Sequence, residues 1–244
     1  MGGAGYMIEQ NGSYEISTIA EMTNGIILAH FEKETGIQET AYQSEAELEN
    51  KMIENLISQG YERIVIKSNN DLYSNLKTQI EKLNDVTFSE DEWDRFLKEY
   101  LDAPNEGIIE KTRKIQENHI YDFIFDDGHL KNIKIIDKKN IHNNFLQVTH
   151  QVWGEGKSRN RYDVTVLVNG LPLVHIELKK RGVNMHEAFN QIHRYSKESY
   201  NSENSLYKYV QLFVISNGTY TRYFANTTAQ NKNHYEFTCE WADA

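Results

Sequence analysis

Two apolar strands joined by Asn169-Gly170 constrain this chain more than any other feature. RYDVTVLV (161–168) and LPLVHIELKK (171–180) flank that dipeptide. Asn-Gly between two such runs favours a two-residue hairpin, because both central residues tolerate positive φ. Side chains on a strand alternate faces. In the second strand Val174, Ile176 and Leu178 therefore share a face suited to a core, and His175, Glu177 and Lys179 share the other. On the first strand Asp163 and Thr165 lie on one face. Pairing through the turn can bring Asp163 near Glu177, although the pattern alone leaves the register open. Burying Glu and Lys in such a strand is costly unless they pair or hold a cation.

The same pattern organises the rest of the chain. SEAELENKMIENLISQG reads as a helix, with Ser44 and Glu47 as a capping box, Leu48, Met52 and Leu56 as the buried stripe and Gly60 as the stop. YERIVIK (61–67) reads as a short strand, 70–83 and 89–101 as helices, the second capped by Ser89 and Glu92, and 108–118 as a further helix. Strands follow: a hairpin of HIYDFIF and LKNIKIID around a DDG turn, then FLQVTHQVW and the Asn169-Gly170 pair. A helix is expected over 185–199, with YVQLFVIS, TYTRYFA and HYEFTCEW as closing strands. Residues 1–43 carry little pattern, and MGGAGYM reads as an added or loosely ordered start.

Bulk properties exclude several classes. With 244 residues and 39% hydrophobic content the chain can bury a sizeable core. No stretch approaches the ~20 apolar residues of a membrane helix. The lone Cys239 fits a reducing cytoplasm and excludes an internal disulfide or a cysteine-rich zinc site. The net charge of −10 is awkward for a partner of nucleic acid. The acid is concentrated in 45–54 and 90–110, however, whereas Lys157, Arg159, Arg161, Lys179, Lys180, Arg181, Arg194 and Lys197 surround the hairpin. A solvated charge run explains any one of these cations better than all of them.

Two carboxylates a few ångströms apart repel unless a cation lies between them. Asp163, Glu177 and the backbone carbonyl of Leu178 offer oxygen ligands of the kind Mg²⁺ takes while keeping several waters. Lys179 would position the attacking water and balance charge developing on a phosphate. Gln191 and Tyr195 are four apart and share a helix face. On their own they read more readily as an amphipathic glutamine and a half-buried tyrosine. Glu45 or Glu49 on the first helix could also face the metal, and a glutamate favoured by the helix dipole is an equally good account. His142, His150, His175 and His193 lack zinc-site spacing and read as structural, with His175 a candidate cleft residue.

An E-x-K triplet alone is common. An aspartate and E-x-K across an Asn-Gly hairpin, followed by Q-x-x-x-Y, are far more restrictive. The run resembles the PD-(D/E)xK nuclease superfamily, and more closely the nuclease domain of the motor (R) subunit of type I restriction–modification enzymes. SEAELE (44–49), GYE (60–62), RYDVTVLVNGLPLVHIELKKRG (161–182), EAFNQIHRY (187–195) and QLFVISNGTYTRYFAN (211–226) carry the resemblance. Tyr162 stands where the superfamily pattern has proline.

The resemblance implies an α/β fold with a central mixed sheet flanked by helices. It implies Asp163, Glu177 and Lys179 as the catalytic set, supported by Gln191 and Tyr195. Metal would sit on Asp163, Glu177 and the Leu178 carbonyl, with Glu45 a further candidate. DNA would meet Lys180, Arg181, Arg161 and Arg194. The organisation expected is an extension over 1–43, the endonuclease domain over 44–230, and the start of a link to motor domains over 231–244. The chain has no G-x-x-x-x-G-K-[ST] loop, so ATP use would belong to motor domains outside it. The implied partners are double-stranded DNA and the methyltransferase and specificity subunits, with no membrane. A non-catalytic docking module of the same assembly and a free-standing nuclease of another branch are the competing readings.

Overall fold

The computed structural model describes residues 6–9, 12–22, 25–34, 44–154, 160–198, 205–226 and 234–241, with side chains from residue 44 onward except at 151–161 and 196–198. The chain divides into two compact units, Met1–Tyr42 and Gln43–Ala244. The first contains an antiparallel sheet of β1 (Tyr6–Glu9), β2 (Gly12–Met22) and β3 (Gly25–Glu34), in that order. A segment that read as weakly patterned thus forms two long strands. Their Ile and Thr content suits a pleated surface. Of the MGGAGYM start, residues 1–5 lie outside the described residues and Tyr6 opens β1.

The second unit is built on a seven-stranded mixed sheet with α-helices, the class that the sequence predicts. Its strands are β4 (Glu62–Arg63), β7 (Leu146–Gly154), β8 (Asn160–Val168), β9 (Leu171–Leu178), β10 (Leu212–Ser216), β11 (Thr221–Ala225) and β12 (Cys239–Glu240). They lie in the order β12-β11-β10-β9-β8-β7-β4, with β9/β10 and β4/β7 parallel. A separate hairpin pairs β5 (Ile120–Ile124) with β6 (Leu130–Lys134).

The helices are α1 (Glu45–Ser58), α2 (Asn69–Asn84), α3 (Glu90–Phe96), α4 (Ile108–Gln116) and α5 (Met185–Glu198). Ser44 caps α1 as predicted: its hydroxyl accepts from Glu47 N at 3.2 Å, and Glu47 accepts from Ser44 N at 2.7 Å. Ser89 and Glu92 repeat the arrangement at α3.

Two hydrophobic clusters form around the sheet. Val148, Val164, Val166, Ile176, Leu178 and Val214 pack with Ile53 of α1. The larger cluster joins Leu167, Leu171, Phe213 and Ile215 to α2, α3 and α5 and to the Phe88–Trp93–Phe96–Phe123–Phe125 aromatic group. Asn169 and Gly170 have φ of 52° and 82°, which makes the tight turn. A Cβ on Gly170 would lie 2.6 Å from Leu76 Cα, so α2 packs directly onto the bare turn. Asn169 fastens it, with its side chain accepting from Phe145 N at 2.8 Å and donating to Ile135 O at 3.0 Å.

Three expectations change. The helix expected over 89–101 turns into a π-helical turn at Leu97–Leu101, where the buried Lys111 and Lys114 donate to the carbonyls of Leu101 and Tyr100. Side-chain ammoniums thus satisfy carbonyls at that helix end. YERIVIK pairs as a strand only at Glu62–Arg63, and Val65 is exposed. HYEFTCEW is a 3₁₀ turn at Tyr235–Phe237 followed by the short edge strand β12.

Candidate active site

Register settles what the sequence left open. The ladder pairs Thr165 with His175 and ends at Val164 with Ile176; Asp163 and Glu177 are the next residues on the two strands, close enough for the charge of Glu177 to act on Asp163. Asp163 Oδ2 accepts from Leu178 N at 2.8 Å. The carboxylate therefore takes the place of a ladder acceptor and is fixed at the end of the hairpin. Glu177 is fully buried, and its Oε2 lies 3.3 Å from His175 Nε2. Lys179 Nζ donates to Glu177 Oε1 at 3.1 Å and to Leu178 O at 3.3 Å. An ammonium thus stands where two of the expected metal ligands converge.

The electrostatics follow from burial. Asp163 is pushed up to about 7, first by burial and then by the charge of Glu177, against which the Leu178 N–H works. Glu177 is pushed up to about 7 by burial, with Lys179 opposing the rise. Burial opposes the charge on Lys179, but Glu177, Asp163 and Glu45 outweigh it and its pKa is raised. His175 is held down at about 4 by complete burial, so it is neutral beside Glu177.

The layer above comes from α5. Gln191 Nε2 donates to Tyr195 OH, so the two residues form one hydrogen-bonded unit. Tyr195 is buried, and burial followed by the charge of Glu177 raises its phenol to about 12. Its ring meets Tyr162 edge-on at 5.3 Å and His175 at 6.1 Å. Tyr162, the residue directly before Asp163, packs against both Tyr195 and His175. In the sequence, an aromatic directly before the aspartate is the only signal of that role.

The first helix contributes as well. Glu49 is 3% exposed and its charge acts on Asp163, whereas Glu45 is half-buried and acts on Glu177 and Lys179. Leu48, Met52 and Leu56 flank the stripe, and Glu49 and Ile53 are its deepest members. Leu48, Met52 and Leu56, expected as the buried stripe, are only half-buried, and of the two glutamates offered as facing a metal it is Glu49 that is buried. It places α1 over the carboxylate pair.

Among the expected DNA contacts, Lys180, Arg181 and Arg194 are exposed, and Arg194 lies over the Tyr195 ring at 5.6 Å. The side chains of Arg161 and Lys197 and the residues Lys157 and Arg159 lie outside the described set. Among the described residues no three His, Cys, Asp or Glu side chains form a ready-made metal cage. What the chain offers is two adjacent carboxylates and a carbonyl, an all-oxygen set that leaves room for water. Burial and mutual repulsion are what a divalent cation there would relieve.

The sequence comparisons decide the family. A profile of the type I restriction enzyme R protein N terminus matches residues 42–232. The chain belongs to that family. It is 55% identical to the type I restriction enzyme EcoprrI endonuclease subunit of Escherichia coli over 225 residues, which are 92% of this chain and 72% of that protein. It is 39% identical over 208 residues to an endonuclease subunit of a type I restriction enzyme in Staphylococcus aureus, covering 83% of this chain and 21% of the relative. A counterpart in Staphylococcus saprophyticus is 37% identical over 207 residues, again 21% of its length. The R-protein match spans the whole Asp163–Tyr195 constellation, so the site lies within the part that these endonuclease subunits share. Among the described residues no helix is long and apolar enough to cross a membrane.

Proposed function

We propose that this chain carries the DNA-cutting centre of a type I restriction endonuclease and hydrolyses phosphodiester bonds of double-stranded DNA with a divalent cation, Mg²⁺ being the natural choice. The observation that carries the reading is the placement of Asp163 against Glu177, with Lys179 on Glu177 and the Gln191–Tyr195 pair above them. Asp163, Glu177 and the Leu178 carbonyl would hold the cation, with Glu45, whose charge acts on Glu177, and the buried Glu49, whose charge acts on Asp163, as further candidates. The bound cation would supply a more acidic water and polarise the phosphoryl group.

The chain's own residues do the rest. Lys179 keeps its proton at neutral pH, because the carboxylates beside it raise its pKa, so it orients an attacking oxygen and balances phosphate charge rather than acting as a base. Tyr195 is likewise protonated, with its hydroxyl aligned by Gln191, and serves as a hydrogen-bond donor. His175 and Tyr162 exclude water from beneath the carboxylates. Exposed Lys180, Arg181 and Arg194, together with Arg161, would meet the backbone of the duplex.

The domain spans roughly 44–230, preceded by the 1–43 extension and followed at 231–244 by the start of a link. In the complete enzyme, ATP-driven motor domains deliver the DNA, and methyltransferase and specificity subunits complete the assembly in the cytoplasm. The test is Asp163→Ala, Glu177→Ala and Lys179→Ala in the assembled enzyme. Each should abolish cutting of a plasmid without loss of assembly. Because the three act as a unit, double variants should be no worse than singles. Vigorous cutting by any one of them would sink the assignment and favour a docking module without catalysis.

A further inference from the structure

A cleft of about 510 Å³ is lined by the segment that continues along the chain from the proposed centre. Its rim begins at Arg181, two residues after Lys179, and its walls include Asn184, Asn217, Tyr220, Arg222 and Tyr235. These walls are held in place before any ligand arrives. Asn217 Nδ2 donates to Val183 O at 2.9 Å, and its Oδ1 accepts from Tyr220 N at 2.8 Å. Arg222 is tied to Thr238 Oγ1 at 2.7 Å and Glu240 at 2.8 Å, with its guanidinium over the Tyr235 ring at 5.0 Å. Tyr235 in turn stacks on His186 at 3.6 Å. Arg222 and Tyr235 thus form a rigid planar wall, while Tyr220 is 65% exposed and Arg181 is exposed on the rim.

An exposed aromatic ring, a braced guanidinium–aromatic wall and a rim arginine are the elements that hold an unstacked nucleotide. Rings and guanidinium planes take the base, and a cation takes the phosphate. An intact duplex hides its base faces and could offer this cleft only its backbone. We propose that the cleft receives one unpaired nucleotide of the cleaved strand, next to the phosphate held at Asp163 and Glu177, so that cutting is coupled to local opening of the duplex. This inference rests on the nuclease reading for the position of the phosphate, but not for the binding itself.

The test uses the 244-residue chain in EDTA at low salt, with a short oligonucleotide carrying one 2-aminopurine, either single-stranded or annealed to its complement. The single strand should change its fluorescence saturably, and the duplex should bind at least about fivefold more weakly. Tyr220→Ala and Arg181→Gln should each weaken single-strand binding about tenfold, and Tyr220→Phe should restore it. Equal affinity for duplex and single strand, full binding by Tyr220→Ala, or no signal from the native chain would each overturn the proposal. Since no cutting occurs in EDTA, these results stand apart from the alanine test of the catalytic set.

Discussion

Replacing Asp163 by asparagine in the metal-free chain should stabilise the fold, and the more so as the pH rises from about 4 to 7. The carboxyl of Asp163 is pushed up to about 7 from an ordinary 3.8, chiefly by burial and by Glu177. At about 1.4 kcal/mol per pH unit, the ionised form costs on the order of 4 kcal/mol once the pH exceeds 7. The amide keeps the shape and can still accept from Leu178 N. The weaker bond to Leu178 N and the lost attraction to Lys179 are already contained in that value, since both act to lower it. The net gain at pH 8 is therefore on the order of 4 kcal/mol, or about 8–16 °C in Tm for a domain of this size.

The sign follows from proton binding. Between pH 4 and 7 the folded state holds a proton on this carboxyl that the unfolded state has lost, so the stability of the native chain falls as the pH rises through that window. The advantage of Asp163→Asn should therefore shrink to about 1.5 kcal/mol at pH 5 and to almost nothing by about pH 4. Thermal unfolding followed by circular dichroism at several pH values measures it. Millimolar Mg²⁺ or Mn²⁺ at pH 8 should raise the Tm of the native chain and leave that of the variant unmoved. A variant less stable than the native chain at pH 8, or equally improved at pH 5, would refute the account of two buried carboxylates in mutual repulsion.

Further outcomes can be measured separately. Gln191→Ala and Tyr195→Phe in the assembled enzyme should slow cutting by about 10- to 100-fold, less than loss of Asp163, because they orient a donor and bind no cation; unchanged single-turnover rates would return α5 to a purely structural role. The 244-residue chain should bind duplex DNA only weakly, with Kd of about 10⁻⁴ M near physiological salt. Its 36 acidic against 26 basic residues oppose a polyanion, and tight anisotropy binding under those conditions would contradict that reasoning. Gly170→Ala should cost about 2–4 kcal/mol in urea unfolding, since φ is 82° and the added Cβ would meet the α2 backbone at 2.6 Å. A loss below about 1 kcal/mol would mean that α2 can move away.

The hairpin and its polar row were legible because Asn169-Gly170 fixes a turn and a period of two fixes the faces. Capping at Ser44 and Ser89 was legible because those bonds lie within four residues of sequence. Less visible were features set by distant partners. Nothing near Leu97 announces a π turn, because the ammoniums that make it come from Lys111 and Lys114. Glu45 and Glu49 read alike as candidates to face a metal, and only the sheet beneath α1 makes Glu49 the buried one. Likewise, β2 and β3 were missed because their alternation is blurred, and register shifts near Ala20 show the same irregularity in the pairing. Both faces of β9 are buried, so the row of His175 and Glu177 is a wall inside the protein rather than a face open to solvent.

The tight turn at Asn169-Gly170 also has a kinetic consequence. A two-residue loop closes on a microsecond timescale, long before strands 30 or more residues apart can align. Asp163 and Glu177 are thus brought face to face while still in water, where their repulsion is slight. The cost appears only when α1 and α5 close over them and the water leaves. Conditions that keep both groups charged then act on the last step of assembly and on its reversal. Raising the pH would shorten the lifetime of the folded chain while leaving its rate of formation nearly unchanged.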